Sequence, residues 1–422
     1  MHLPSEILHS IAEFAGTPNL RFLSAESPRA YDRLCRIEIR TCNQRLGNLR
    51  LVNKAFCQVA SELLFRKIAA SCDRDHCLTR LTRLGDMSLS PYASCVRSLV
   101  LGIHFSSSGE NSLIYAQHLA EHLPTYLERL PNLRTLSIDI SQREFLADVT
   151  KRIVIGGVLT ALASANLPRL QELTVALPFA TDFSLFFSEG GQLPASAKEA
   201  FSRIRTMDVK VMNWRSLRVR HAATETHGSE MFKLAQCAEN LSALEVSGPN
   251  QVILDKATMP TSRPLKTLHL NNISFSLDTL RNLLNSCKSS LNTIQFYGTG
   301  LSSGTWKDAL LEMSKLPNIQ DVFLQAVTYS LKSRGREVVP NYRLSMGETT
   351  VARDDLDLLA VEILQRCINA NRVAAGLPEI DEERYSYDRE ETLQDAIEAL
   401  RAEQAKNNHN LTGLSPGLLN FI

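Results

Sequence analysis

Two hydrophobic periods alternate along most of this chain. Eight segments share an aliphatic-x-x-aliphatic-x-aliphatic pattern: VRSLVLGI from Val96, LRTLSIDI from Leu133, LQELTVAL from Leu170, IRTMDVKV from Ile204, LSALEVSG from Leu241, LKTLHLNN from Leu265, LNTIQFYG from Leu291 and IQDVFLQA from Ile319. In each, the last two apolar residues keep the spacing that puts side chains on one face of a strand. Between them lie stretches with the helical period. Residues 276–287 offer Ser276 as N-cap with Leu277, Leu280, Leu283 and Leu284 on one stripe, and residues 303–316 carry Trp306, Leu310, Met313 and Leu316 in the same way. Strand, turn, helix and return to a new strand predict an α/β fold of parallel coils. One such unit cannot bury its own apolar face, whereas stacked units share a continuous core. An ordinary α/β sheet built from the same strands is the alternative.

The segment starts are 37, 37, 34, 37, 24, 26 and 28 residues apart. This arrangement resembles the leucine-rich repeat, whose usual spacing of ~20 to 29 residues covers the later intervals. The first four intervals are longer, and the Asn or Cys expected after the strand is mostly missing, so the repeats are irregular. The resemblance implies a solenoid over residues 90–335 whose strands line a concave sheet, with the residues between the core aliphatics facing outward on it. That outward column holds Asp139, Glu172, Asp208, Glu245 and Asp321 against the single lysine Lys210. The expectation is that the middle repeats take a basic segment of a protein substrate, with His269, Tyr297 and Phe323 as an aromatic anchor. Solvated strand positions with no partner are the plainer reading of the same column.

The N-terminal pattern differs. Pro4 suits a first helical turn, and Ile7, Leu8, Ile11 and Phe14 fall on one face. A second helical stripe runs through Leu51, Val52, Ala55, Phe56, Val59, Ala60, Leu63 and Leu64, while Asn53, Lys54, Gln58, Ser61 and Glu62 face away. Two short helices bury too little to stand alone, so such a module docks on something.

The strings LPSEILHSIAEF and LRLVNKAFCQVASELLFRKI resemble the F-box, particularly its fungal form, and an F-box followed by leucine-rich repeats is a known family arrangement. The resemblance covers residues 3–68 for the motif within a module at 1–70. It implies a non-catalytic substrate receptor of a cullin-based ubiquitin ligase that docks a Skp-type adaptor and, through it, the cullin scaffold. Carried over by position, Leu3, Pro4, Ile7, Leu8, Leu51, Val52 and Phe56 touch the adaptor or pack the motif that does. Family members join the two halves by roughly ten residues; here residues 15–48 intervene, 34 positions rich in arginine, as an extra helix or a loop. A repeat scaffold that binds protein without ubiquitin machinery, its helices serving as a lid on the core, is the alternative.

Beyond Leu331 the repeat fades. Residues 354–375 carry Leu356, Leu359, Ile363, Cys367 and Ala370 on one stripe and stop at Gly376, and residues 390–406 repeat this with Leu393, Ile397 and Leu400. Residues 350–422 read as an acidic helical cap or tail, with 14 Asp and Glu against 7 Lys and Arg from position 351 onward. A charged linker, 380–391, separates the two helices.

Length and charge narrow the function classes. At 422 residues the chain exceeds the ~250 to 300 that one core supports. A net charge of +1 removes the global basic field of a non-specific nucleic-acid binder, and 6% aromatics against 44% hydrophobics points to aliphatic layers. Nine scattered cysteines and no signal-peptide pattern at the start suggest free thiols in a reducing compartment, cytoplasmic or nuclear. The longest apolar stretch, 153–167, is too short to span a bilayer.

Three motifs raise enzyme chemistry. His118, Glu121 and His122 form an H-x-x-E-H string, which could hold zinc but reads more simply as solvated histidines on a helix. Gly298, Gly300 and Gly304 imitate a dinucleotide loop with one residue too many, and no acidic residue ends the next strand for a ribose. Cys72, His76 and Cys77 lack the second ligand pair of a structural zinc site. The sequence therefore points to no catalytic residue, no metal and no cofactor.

Overall fold

All eight alternating segments form strands in the computed structural model, which describes residues 4–16, 41–72, 77–103, 109–140, 148–188, 191–212, 226–254, 264–325, 327–329 and 355–380. The strands are β1 (Lys67–Cys72), β2 (Ser98–Ile103), β3 (Thr135–Asp139), β4 (Glu172–Leu177), β5 (Thr206–Val211), β6 (Thr226–His227), β7 (Ala243–Ile253), β8 (Thr267–Ser276), β9 (Thr293–Tyr297), β10 (Gly300–Ser303), β11 (Asp321–Gln325) and β12 (Thr328–Tyr329). The helices are α1 (Ser5–Gly16), α2 (41–49), α3 (Lys54–Leu64), α4 (Cys77–Leu89), α5 (Gly109–Glu128), α6 (Asp148–Ser164), α7 (Ala195–Ser202), α8 (Ser229–Gln236), α9 (Leu277–Ser286), α10 (Trp306–Ser314) and α11 (Asp355–Ala374). The fold is mixed α/β with parallel strands. Residue 3, most of the insert (17–40), the stretch 73–76 and the second tail helix at 390–406 lie outside the described residues.

The chain divides into two compact units, residues 1–174 with 194–200, and residues 175–193 with 201–422. In the first, β1 pairs with β2 from Lys67↔Ser98, and β2 with β3 from Ser98↔Thr135. β1 lies outside the eight predicted segments, so the sheet begins ahead of residue 90. Its KIAASC sequence gives a weak strand signal because Ala69 and Ala70 carry no β-branch. It is held instead by the ladder and by Tyr115, whose buried hydroxyl donates to the Ala70 carbonyl at 2.7 Å. The apolar stretch 153–167 becomes the core of α6, and Gly157 is required there, since a Cβ would sit 2.6 Å from the Ala120 backbone of α5.

The N-terminal helices of this unit make a small core of their own. Ala12 of α1, Leu46 of α2 and Ala60 of α3 are buried together, with Leu49, Val59, Leu63 and Leu64 packed against them. The end of the insert is therefore a helix that adds Cys42 and Leu46 to the buried set. The helical stripe does not begin at Leu51. Asn53, in extended backbone, accepts from the Phe56 amide at 2.9 Å and starts α3 at Lys54, which leaves Leu51 and Val52 in the turn before it. Ser61, expected on the outer face, is buried.

In the second unit, β5 pairs with β7, β7 with β8, β8 with β9, and β9 with β11, all parallel. A second parallel ladder runs through β6, the end of β7, the end of β8, β10 and β12. The corner between the two ladders needs left-handed backbone: Asn272 has φ 53° and Gly298 φ 59°. A Cβ on Gly298 would meet the Asn272 side-chain oxygen at 2.2 Å. Of the glycines that imitate a dinucleotide loop, Gly298 and Gly300 thus serve a strand-to-strand corner, with Gly300 opening β10, and Gly304, φ 86°, makes the turn from β10 into α10 against Leu277.

Helix starts in this unit follow local chemistry. Ser276 Oγ accepts from the Thr279 amide at 3.1 Å and caps α9, while Thr305 rather than Ser303 caps α10, accepting from the Asp308 amide at 3.1 Å. Phe275, Phe296 and Trp306 cluster with ring centroids 5.4 to 6.5 Å apart. α11 ends at Gly376, φ 74°, and reaches the last coil through Asn371, which donates to the Leu316 and Ile319 carbonyls at 3.2 and 3.0 Å.

One polar device recurs. Asn132 donates to the Ser94 carbonyl, Asn240 to Ser202 and Asn318 to Ser289, each at 2.7 Å. In every case the asparagine immediately precedes an alternating segment and its acceptor lies two residues ahead of the preceding one. Each bond ties one coil to its predecessor and satisfies a carbonyl that the strand ladder leaves over.

Candidate interaction surfaces

The residues expected to dock the adaptor divide into one that packs and several that do not. Leu8 is 8% exposed and joins the interior of its unit. Leu51 at 85%, Val52 at 60% and Phe14 at 85% stand in solvent, and Ile7 and Ile11 are also exposed. Ile7, Ile11 and Phe14 share one side of α1 through their spacing of four and three. Pro4 is exposed and opens the helix, its carbonyl accepting from the Ile7 and Leu8 amides at 3.1 Å. Phe56 is half-buried, and Leu3 lies outside the described residues.

The turn bearing Leu51 and Val52 is braced. The Leu51 amide donates to the Asn48 carbonyl at 3.0 Å, and the Val52 amide to Leu49 at 3.1 Å. Beside them, the Arg50 guanidinium lies 5.2 Å from the ring centroids of both Phe65 and Tyr92 and donates to the Tyr92 hydroxyl at 3.0 Å. Arg50 is the one residue here that sequence reasoning missed, although it sits inside the LRLV string that carried the resemblance. Its ties to Phe65 and to Tyr92, the latter 42 positions away, give no periodic signal.

The strand-face residues occupy the half-buried or exposed positions that alternate with the buried aliphatics. In the first unit, Asp139 is half-buried, and Glu172 is exposed and accepts from Thr135 Oγ1 at 2.7 Å. In the second, Asp208, Glu245, His269, Gln295 and Phe323 stand in register on five successive strands. Tyr297 follows Gln295 by two positions, and both Tyr297 and Phe323 are exposed.

Lys210, the single lysine set against the acids of the column, touches two of them. Its ammonium contacts Asp208 Oδ2 at 2.6 Å and Glu245 Oε1 at 3.9 Å, so it bridges the two carboxylates. The trio keeps one net negative charge. Burial pushes the Asp208 carboxyl above the usual carboxylate range, the Lys210 contact opposes this, and the Glu245 charge adds to it.

The histidines at 118 and 122 are not simply solvated. Their rings lie 4.3 Å apart on α5, and His122 stacks on Tyr126 at 5.9 Å. Burial and the neighbouring His122 hold His118 below the ordinary histidine range. Glu121 contacts His122 at 3.8 Å. Among the described residues, no group of three or more His, Cys, Asp or Glu is placed to hold a metal ion, and no helix is long and apolar enough to cross a membrane. Compared with protein-family models and with curated protein sequences, the chain finds no match.

Proposed function

We propose that this protein is a substrate receptor of a Skp-cullin-F-box type ubiquitin ligase, with an N-terminal F-box, an irregular leucine-rich-repeat solenoid and a helical cap, acting in the cytoplasm or nucleus. The observation that carries the reading is the exposure of Ile7, Ile11 and Phe14 on α1 and of Leu51 and Val52 in the turn between α2 and α3, in a module whose own small core is already filled by other residues. Solvent-facing aliphatic and aromatic side chains on a folded helical module fit a surface that is covered in a complex. Of these, Ile7, Leu51 and Val52 fall at positions where the resemblance puts adaptor contacts, and Ile11 and Phe14 extend the same exposed side of α1. The parallel strands supply a rigid outward face for a target protein, and the receptor itself performs no chemistry.

Co-expression with a Skp-type adaptor tests this reading. The full chain is expected to co-purify with the adaptor, and Leu51→Asp with Val52→Asp to release it while the thermal melt stays unchanged. Leu8 is unsuited to this test because it packs inside. Well-folded protein that never retains the adaptor overturns the reading and leaves a repeat scaffold outside the ubiquitin machinery.

A further inference from the structure

Three acceptors on one sheet face are shielded from solvent yet unmatched. Asp208 Oδ1, His269 Nε2 and Asn271 Oδ1 have no hydrogen-bond partner among the described residues. Buried polar atoms are normally satisfied, so three of them on β5 and β8, the two strands that flank β7, call for an explanation. Asp208 and His269 flank Glu245 in one transverse row, and Asn271 lies two positions beyond His269, on the same side of the sheet. A neutral histidine accepts at one ring nitrogen, so all three can accept.

The same face turns apolar a short way along. Glu245 is on β7, while Tyr297 and Phe323 are on β9 and β11, two and three strands further in the ladder. Strands stand ~4.8 Å apart, which separates Glu245 from the exposed rings by roughly 10 to 14 Å. An extended chain advances ~3.4 Å per residue and covers that distance in about three or four residues.

We propose that this face binds an extended protein segment laid across the strands, with an arginine seated over Glu245 between Asp208 and His269, and an apolar residue about three or four positions away covering Tyr297 and Phe323. Arginine fits better than lysine. Its guanidinium offers five donors in a planar fork and can serve acceptors on neighbouring strands at once, whereas Lys210 already places an ammonium at one end of the row. The residual negative charge of the Asp208, Lys210 and Glu245 trio favours that cation and disfavours a phosphate backbone. The exposed rings supply an anchor of the kind found at the centre of protein interfaces. This inference rests on the reading that the strand face is where the target protein binds.

Random dodecapeptides displayed on phage, selected on the immobilised full-length protein, test it. The selected pool is expected to converge on an arginine with an aromatic or large aliphatic residue three or four positions away. A fluorescein-labelled consensus peptide is expected to bind at least about tenfold less tightly to Glu245→Gln and to Phe323→Ala, and more weakly as salt is raised. Tyr297→Ala, at an exposed position, reports on binding if Glu245→Gln disturbs the fold, which a thermal melt of each variant shows. A consensus that depends on Phe323 and Tyr297 but holds no basic residue overturns the arginine proposal and leaves the strand face as a binding face. Selected sequences indifferent to all three variants overturn both.

Discussion

The N-terminal helices and the parallel strands spend their apolar residues in opposite ways. In the strands of the second unit, Leu244, Val246, Leu268, Leu270, Ile294 and Phe296 are all fully buried. In α1 and the turn before α3, Ile7, Ile11, Phe14, Leu51 and Val52 are exposed, and Ala12, Leu46 and Ala60 fill the small interior. Both patterns look alike as periodic hydrophobicity. What separates them is the supply of neighbours: each strand finds a parallel partner, whereas three short helices have more apolar side chains than interior. The difference teaches that a hydrophobic stripe is an offer of burial: its acceptance inside the chain marks a core, and where it is refused, as in the N-terminal helices, the exposed residues are the ones proposed above to be covered by a partner.

That contrast can be broken by mutation. The largest effect is expected at Trp306, fully buried against Phe275 and Phe296: Trp306→Ala is expected to cost ~3 to 5 kcal/mol in urea unfolding of the second unit. If the cost stays within the range of a surface change, the strand core is not packed as described. At the N-terminal module, Leu8→Ala is expected to cost about 2 kcal/mol and Leu51→Ala less than about 0.5 kcal/mol. Equal losses at the two positions would erase the distinction between packing and docking residues.

Smaller effects sharpen the picture within the strands. Asn318→Ala removes the tie to the Ser289 carbonyl and is expected to cost about 0.5 to 1 kcal/mol, because the bond is exposed at its edge. A loss spread equally over Asn132, Asn240 and Asn318 would support a common role, and no loss at any of them would remove it. Asp208 gives the smallest change and a pH signature. Burial raises its native carboxyl above the unfolded value, so the native state holds more protons across that window, and this group's contribution to stability falls as pH rises through it. Asp208→Asn is therefore expected to gain stability relative to wild type as pH is raised from the ordinary carboxylate range to neutral, by less than about 1 kcal/mol. A constant difference across that range would show that the carboxyl is not perturbed as described.

Much of the strand framework was legible in the sequence. The alternating aliphatics placed eight strands, and the capping residue Ser276 and the stop at Gly376 marked helix ends where the structure has them. β1 was not legible, because its small residues rely on the ladder rather than on their own preference. The Asn132, Asn240 and Asn318 ties were missed for a plainer reason: the repeat consensus directs attention to a residue after the strand, and here the asparagine stands before it. The exposed turn proposed as the docking face was half legible. Periodicity located Leu51 and Val52 but put them on a helix stripe, since it cannot weigh an N-cap at Asn53 against two more apolar residues. The pairing of Lys210 with Asp208 and Glu245 escaped a reading that counted charges along a column without asking which of them touch.

The central claim is that the exposed apolar residues of the N-terminal helices are an adaptor-binding surface. Titration calorimetry of the full-length protein with a purified Skp-type adaptor, at several temperatures, tests it most directly. The expected result is one-to-one binding with a negative heat-capacity change from apolar burial, lost in the Leu51→Asp, Val52→Asp variant while its unfolding midpoint is unmoved. Binding that persists unaltered in that variant, or no binding by well-folded wild-type protein, would contradict it.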